Sequence, residues 1–178
     1  MAILKIARMG HPVLRQRAQD VPDPTAPEVK RLVADMIDTM KDAGGTGLAA
    51  PQVHVPQRVV VYFVEAERAE REGEEEVAAV PLTVLINPEI EVLDEAAEPG
   101  WEACLSVPDM MGEVARPRAI RYRGTGIDGR TVEREAEGFH ARVVQHECDH
   151  LDGVLYPQRM TDLSKLLFQS EMKHYAEG

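Results

Sequence analysis

Apolar residues fall along this chain at helical spacing in some stretches and in short β-branched runs in others, and the difference separates its helices from its strands. Between residues 28 and 41, Val29, Leu32, Val33, Met36, Ile37 and Met40 follow one another at three- and four-residue steps. That spacing lays one apolar stripe along a helix, and its reading is core packing. Gly44-Gly45 marks the end of that helix. A second helix is predicted over residues 139–151, a run without Gly or Pro that Gly138 and Gly153 bracket. Shorter helices are expected from His11 to before Val21 and over residues 162–175. Pro22, Pro24 and Pro27 mark a loop.

Strands are marked by short runs. The β-branched run 58–64 reads as one strand, and 83–87 as a buried strand closed by Pro88. Residues 90–93 continue an extended path. Residues 95–100 are expected to turn, and 101–107 to be extended again, ending at Pro108. Asp128-Gly129 between 120–127 and 131–135 is a hairpin signal. Residues 65–76, dense in Glu and Arg, read as a solvated excursion or hairpin tip. Hairpins dominate and βαβ alternation is absent. The expected fold is therefore α+β, with antiparallel strands packed around the 139–151 helix and a short C-terminal helix.

Composition narrows the function classes. The chain has 178 residues, enough for one domain with one core, and no repeat or linker divides it. Aromatics are 4% of residues, so the core must be mainly aliphatic. A net charge of −11 argues against nonspecific nucleic-acid binding and against anionic membranes. No apolar run approaches a membrane span, and the start lacks the marks of a signal peptide. With only Cys104 and Cys148 present, a cytoplasmic setting with free or metal-bound thiols is expected.

One stretch carries chemistry: Gln145-His146-Glu147-Cys148-Asp149-His150. In a helix, His146 and His150 lie one turn apart on one face and can point two imidazoles at one metal ion. Glu147 projects beside them, within reach of the proton of a bound water. Cys148 falls about 200° round the helix from His146 and should face away. A catalytic metal site usually takes a third protein ligand. Spacing offers three sources. Position 156, where one H-E-x-x-H pattern has His, is Tyr156. Glu171 suits a downstream-glutamate pattern but lies near the chain end. Cys104, in Glu102-Ala103-Cys104-Leu105-Ser106, is the favoured third ligand, since a thiolate binds zinc or ferrous iron strongly. The small-residue run Gly45-Thr46-Gly47-Leu48-Ala49-Ala50-Pro51-Gln52 is not a phosphate loop, because no Lys-Ser/Thr follows and it leads into Pro51. It is either a backbone segment that a ligand approaches closely or a plain helix-to-strand turn.

Taken together, these three motifs resemble peptide deformylase, in order and in spacing, and the resemblance spans the chain from His11-Pro12-Val13-Leu14 to the last helix. It implies a single catalytic domain over 1–178. The implied activity removes the N-formyl group from the formylmethionine of nascent polypeptides in the cytoplasm. Cys104, His146 and His150 would be ligands to one divalent metal, ferrous iron in the cell, with zinc or nickel able to replace it. Metal-bound water would attack the formyl carbon with Glu147 as general base and acid. Gln52 and the Leu105 backbone N–H would receive the oxyanion. Glu102 would pair with Arg116 to brace the Cys104 strand. Two positions depart from the family: Ala103 stands where it commonly has Gly, and Thr46 where it has an aliphatic residue.

Further expectations concern the substrate. Thr46, Gly47 and Ala103 flank the groove, and Gly45 to Leu48 would pair with an extended peptide. Phe139 and Val143 either line a methionine pocket or are plain core. Arg142 is read with its stem packed and its head reaching solvent. Gln145 is a candidate support for the ligands, while Asp149 either orients a histidine or caps local charge. The other histidines read as structural or exposed. Competing readings are an H-E-x-x-H zinc endopeptidase using Glu171 and a deformylase-like binding protein without turnover. Leu163, Leu166, Leu167 and Ser170 would form one helical stripe on the domain. The tail's two lysines are offset by two glutamates, so ribosome contact should be weak and DNA is not a partner.

Overall fold

A computed structural model describes residues 2–65 and 79–176, so most of the acidic 65–76 excursion lies outside the described residues. Helix α1, Pro27–Asp42, carries the predicted stripe, with Val29, Val33, Met36 and Met40 buried. It ends in a left-handed Gly44 (φ +65°), and the Gly45 amide reaches back to the Met40 carbonyl. Together with Gly44 N–H to Lys41 O, this is a Schellman stop. The chain then enters β1, Gly47–Ala49, a short edge strand. Strands β2 (Val59–Val64), β3 (Val80–Cys104), β4 (Val107–Thr125) and β5 (Thr131–Glu137) follow in one antiparallel sheet of order β1-β2-β3-β4-β5. Helix α2 is Gly138–Leu151.

The alternation of β2 explains how the layers form. Val60, Tyr62 and Val64 pack with Ala141, Val144, Cys148 and Leu151 of α2. Val59 and Val61 pack with the apolar stripe of α1. The strand is therefore buried on both faces, which is why its sequence reads as an unbroken apolar run. Helix α2 lies on one face and α1 on the other.

Four expectations about local structure need correction. The first short helix is only one 3₁₀ turn, Pro12–Arg15. Residues 95–100 do not turn. They stay in β3 and pair with β4, Glu98 opposite Arg116 and Gly100 opposite Val114, with register shifts around Asp94 that absorb the polar, small-residue composition. The reversal comes at Leu105-Ser106, between Cys104 and Val107, so Pro108 does not close the element. The tail, finally, is not one helix. Leu166–Phe168 forms β6, paired with Met110–Gly112 of β4; it is flanked by single 3₁₀ turns, and the α-helix is confined to Met172–Ala176 (α3). Strand pairing at a free edge outcompetes the helical periodicity there.

A polar relay crosses the α2 side of the core. The Tyr62 hydroxyl donates to the Tyr122 hydroxyl at 2.7 Å, which lies 3.1 Å from His140 Nε2. Burial, with Arg134 nearby, pushes the His140 pKa down to about 4, while an unfolded histidine titrates near about 6.5. Neutral His140 therefore contributes stability that is complete above about pH 6.5 and is lost as pH falls toward about 4. Discounted for partial exposure, that loss should be about 1–2 kcal/mol. Urea denaturation at pH 7.5 and 4.5 checks it: the drop between the two should shrink by that amount in His140→Asn.

Candidate metal centre and active site

The end of β3 and the middle of α2 meet at one point. Cys104 is the last residue of β3, and its Sγ lies 3.3 Å from His150 Nε2. The His146 and His150 rings sit one turn apart, 5.0 Å between centroids. One ligand atom from each of Cys104, His146 and His150 lies within 4.8 Å of the others. Tetrahedral donors at ordinary zinc–nitrogen and zinc–sulfur distances are about 3.3–3.8 Å apart, so small side-chain adjustments close this set on one ion. A thiolate with two imidazoles also suits a borderline-soft divalent metal. Cys148 is buried among core residues of the α2 side and forms no disulfide.

A buried charge network holds these donors. Glu102 Oε2 accepts from His146 Nδ1 at 2.8 Å, which leaves the other ring nitrogen for an ion. Arg116 grips Glu102 with two bonds, 2.5 and 2.9 Å, and extends its other nitrogen to Asp149 at 2.8 Å. Arg159 adds a 2.6 Å bond to Asp149. Burial alone would raise the Glu102 carboxyl, but hydrogen bonds from Arg116 and His146 hold it well below the usual carboxylate range. Burial also opposes charge on His146, yet Cys104 and Glu102 raise its pKa well above the usual value. The spot between them favours a positive charge.

Glu147 stands beside the donors with 5% of its surface exposed, and its Oε2 has no hydrogen-bond partner. Burial pushes its pKa up to about 7. The room for it comes from Gly47, where a Cβ would overlap the Glu147 carboxylate. Gln52 is fixed through its Oε1, which accepts from Ala49 N–H at 2.8 Å. Its Nε2 thereby points at Ser106 Oγ (3.1 Å) and Cys104 Sγ (3.5 Å). Cys104, His146 and Glu147 open into a cleft of about 680 Å³ lined in part by Thr46, Gly47, Ala103, Leu105, Phe139 and Val143. Beta-strand β1 borders it. Thr46 O accepts from Phe63 N–H, so strand alternation turns the main-chain groups of Gly47 away from β2, toward the open edge.

Some candidate residues fall elsewhere. Glu171 is exposed in a 3₁₀ turn and takes no part in the donor cluster. Gln145 donates to the carbonyls of Pro117 and Ala141, not to a ligand. Asp149 caps Arg116 and Arg159 and leaves His150 Nδ1 without a partner. Arg142 does not reach into solvent. It bonds Glu102 Oε1 and the carbonyls of Val114 and Glu98, and Gly100 gives its guanidinium room. Sequence reasoning missed Ser106, which shares the Gln52 amide, and Tyr156, whose ring stacks on His146 at 6.3 Å. Ser106 lay inside a recognised motif, and position 156 was weighed only for a histidine ligand, so the tyrosine there was passed over.

Comparison with known proteins decides what this arrangement belongs to. The sequence pattern of the polypeptide deformylase family matches residues 3–166. The chain belongs to the peptide deformylase family. It is 49% identical over 172 residues to peptide deformylase 2 of Pseudomonas syringae pv. tomato, covering 96% of this chain and 94% of that one. It is 51% identical over 160 residues to peptide deformylase 1 of Bordetella pertussis, covering 90% and 89%. A Met-Ala-Ser-bound class I type b peptide deformylase from Acinetobacter baumannii superposes with a TM-score of 0.80 at 32% identity, covering 89% of this chain and 99% of that one. The enzyme is a metal-dependent hydrolase that removes the N-formyl group from newly made peptides. Among the described residues no helix is long and apolar enough to cross a membrane.

The charge network yields a stability contrast. Arg116→Met removes the guanidinium that spans Glu102 and Asp149, leaving Glu102 to Arg142 and His146 and Asp149 to Arg159, and should cost up to about 3–5 kcal/mol. Arg121→Met removes exposed, solvent-screened bonds to Glu91 and Glu135 and should leave stability nearly unchanged. Urea unfolding midpoints of the two variants check the difference.

Proposed function

We propose that Glu147 is the general base and acid of the deformylation reaction, and that Cys104, His146 and His150 together hold its single divalent metal. The observation that carries this reading is the unpartnered Glu147 oxygen, buried beside the donor cluster where the residue lines the cleft. Ferrous iron is the proposed ion, with zinc or nickel as substitutes, since imidazole and thiolate donors accept all three. When bound, such an ion supplies Lewis acidity and lowers the pKa of water it holds.

The chain's own groups then divide the work. The β1 edge receives the extended peptide by main-chain pairing, past Thr46 and Gly47. Phe139 and Val143 take the methionine side chain, and Ala103 narrows the groove by one methyl. Glu147 accepts the proton of the attacking water and delivers it to the leaving amine. Gln52 Nε2 and the Leu105 backbone N–H donate to the formyl oxygen as negative charge develops there. Glu102 orients His146 from behind. The Acinetobacter baumannii relative is solved with Met-Ala-Ser bound, a peptide led by methionine, which supports a methionine-led peptide as the ligand class. Residues 1–178 act as one catalytic domain in the cytoplasm, on N-formylated nascent peptides, with weak or transient ribosome contact at most. The net charge of −11 supports encounter mainly by diffusion. Glu171 as a ligand of an endopeptidase site finds no support, because it is exposed and outside the cluster.

Two expected outcomes follow for variants assayed on a formyl-methionyl peptide. Glu147→Gln should keep one metal per chain by elemental analysis while turnover falls by roughly 10²–10⁴-fold; full activity in the loaded variant would assign the base elsewhere. Gly47→Ala pushes against the Glu147 carboxylate and should lower kcat by roughly 10–100-fold with metal content kept, as expected when a proton acceptor is displaced by about 1 Å.

A further inference from the structure

The cleft has a wall that neither the metal donors nor the methionine pocket accounts for. Gln169 and Met172 line it beside Trp101 and Met111. Both come from the C-terminal segment, and several contacts fasten that segment in place. Beta-strand β6 pairs with Met110, Met111 and Gly112 of β4, and Lys165 forms an ion pair with Glu113. Gln169 Nε2 donates to the Met110 carbonyl at 3.3 Å, and the Tyr175 ring meets Trp101 edge-on at 5.2 Å. These are more attachments than a solvent-exposed tail needs.

Register gives the distance of this wall from the chemistry. Ala103 lies opposite Met111, and Met111 opposite Leu167. Beta-strand β6 is therefore two strand spacings from β3, about 10 Å. An extended peptide advances about 3.3–3.6 Å per residue. With its formyl carbon at the donor cluster, a substrate brings its second and third residues to that distance.

We propose that the C-terminal segment is a specificity wall of the enzyme, with Met172 and Gln169 contacting the second and third residues of the substrate. The proposal rests on the deformylase reading and extends it past the methionine. Met172 offers an unbranched thioether that adapts to side chains of different shape, and Trp101 beside it adds apolar area. Gln169 commits its Nε2 to Met110, and its Oε1 remains an acceptor for a peptide N–H. The partner is thus an extended peptide with an apolar residue after the methionine. The segment's role is to hold the emerging chain in the cleft.

The test compares kcat/KM for formyl-Met-Leu-Ser with that for formyl-methionine amide, which ends before the wall. In Met172→Ala/Gln169→Ala the ratio should fall about 5–20-fold through KM for the longer peptide, the loss expected from removing a buried thioether contact and one hydrogen bond. Met172→Leu, with nearly the same volume, should keep most of the ratio. Equal loss on both substrates leaves the ratio unchanged and would overturn the proposal, as would an unaltered KM for the longer peptide. A wild-type protein inert toward both substrates would contradict the deformylase reading itself, a separate failure.

Discussion

The Glu102–Arg116 pair is the interaction on which the rest of the site depends. A carboxylate and a guanidinium, each about 5% exposed, are held in the interior. Two such charges are tolerable there only with close geometry and every remaining bond satisfied. The hairpin supplies this. Residue 102 lies near the end of β3 and 116 on β4, with Arg116 bridging onward to Asp149 of α2. The pair ties the strand bearing Cys104 to the helix bearing His146 and His150. Its second carboxylate oxygen reaches His146 itself. Strand, helix and ligand ring are thus fixed by one charged cluster, and the donors meet without a loop between them.

The same arrangement explains the small residues across the cleft. Glu147 follows His146 on the helix and must project toward β1. Gly47 makes that approach physically available, and Gly45 likewise leaves room for the Leu105 side chain, which a Cβ would meet at 2.8 Å. The glycines of this segment serve two purposes: they admit the Glu147 carboxylate and the Leu105 side chain, and they leave the main-chain edge of β1 uncrowded. Gln52 closes the run by bonding back to Ala49, which aims its amide at the sulfur. Flexible-looking sequence therefore becomes a rigid frame.

Much of this was legible from residue patterns, and the reasons differ by element. Helices α1 and α2 were readable because each is amphipathic or uninterrupted and ends at glycine. The donor set was readable because two of its members are fixed by helical spacing and the third is one of only two cysteines. Strand β3 was misread at 95–100, where Glu, Ala, Pro and Gly suggest a turn. Pairing with β4 overrides that local preference, and pairing is a long-range property. The tail was misread for the same reason, since Leu166–Phe168 takes its conformation from Met110–Gly112. Arg142 was assigned to solvent because its acceptors, Glu98, Glu102 and Val114, come from distant parts of the hairpin.

The central claim is that one strand end and one helix face unite Cys104, His146 and His150 on a single ion. X-ray absorption at the metal edge of the iron(II)-loaded enzyme tests it most directly. The account predicts a first shell with one sulfur and two imidazole nitrogens, and loss of the sulfur in Cys104→Ala but not in Cys148→Ala. A shell with only nitrogen and oxygen, or sulfur that disappears with Cys148, would contradict it.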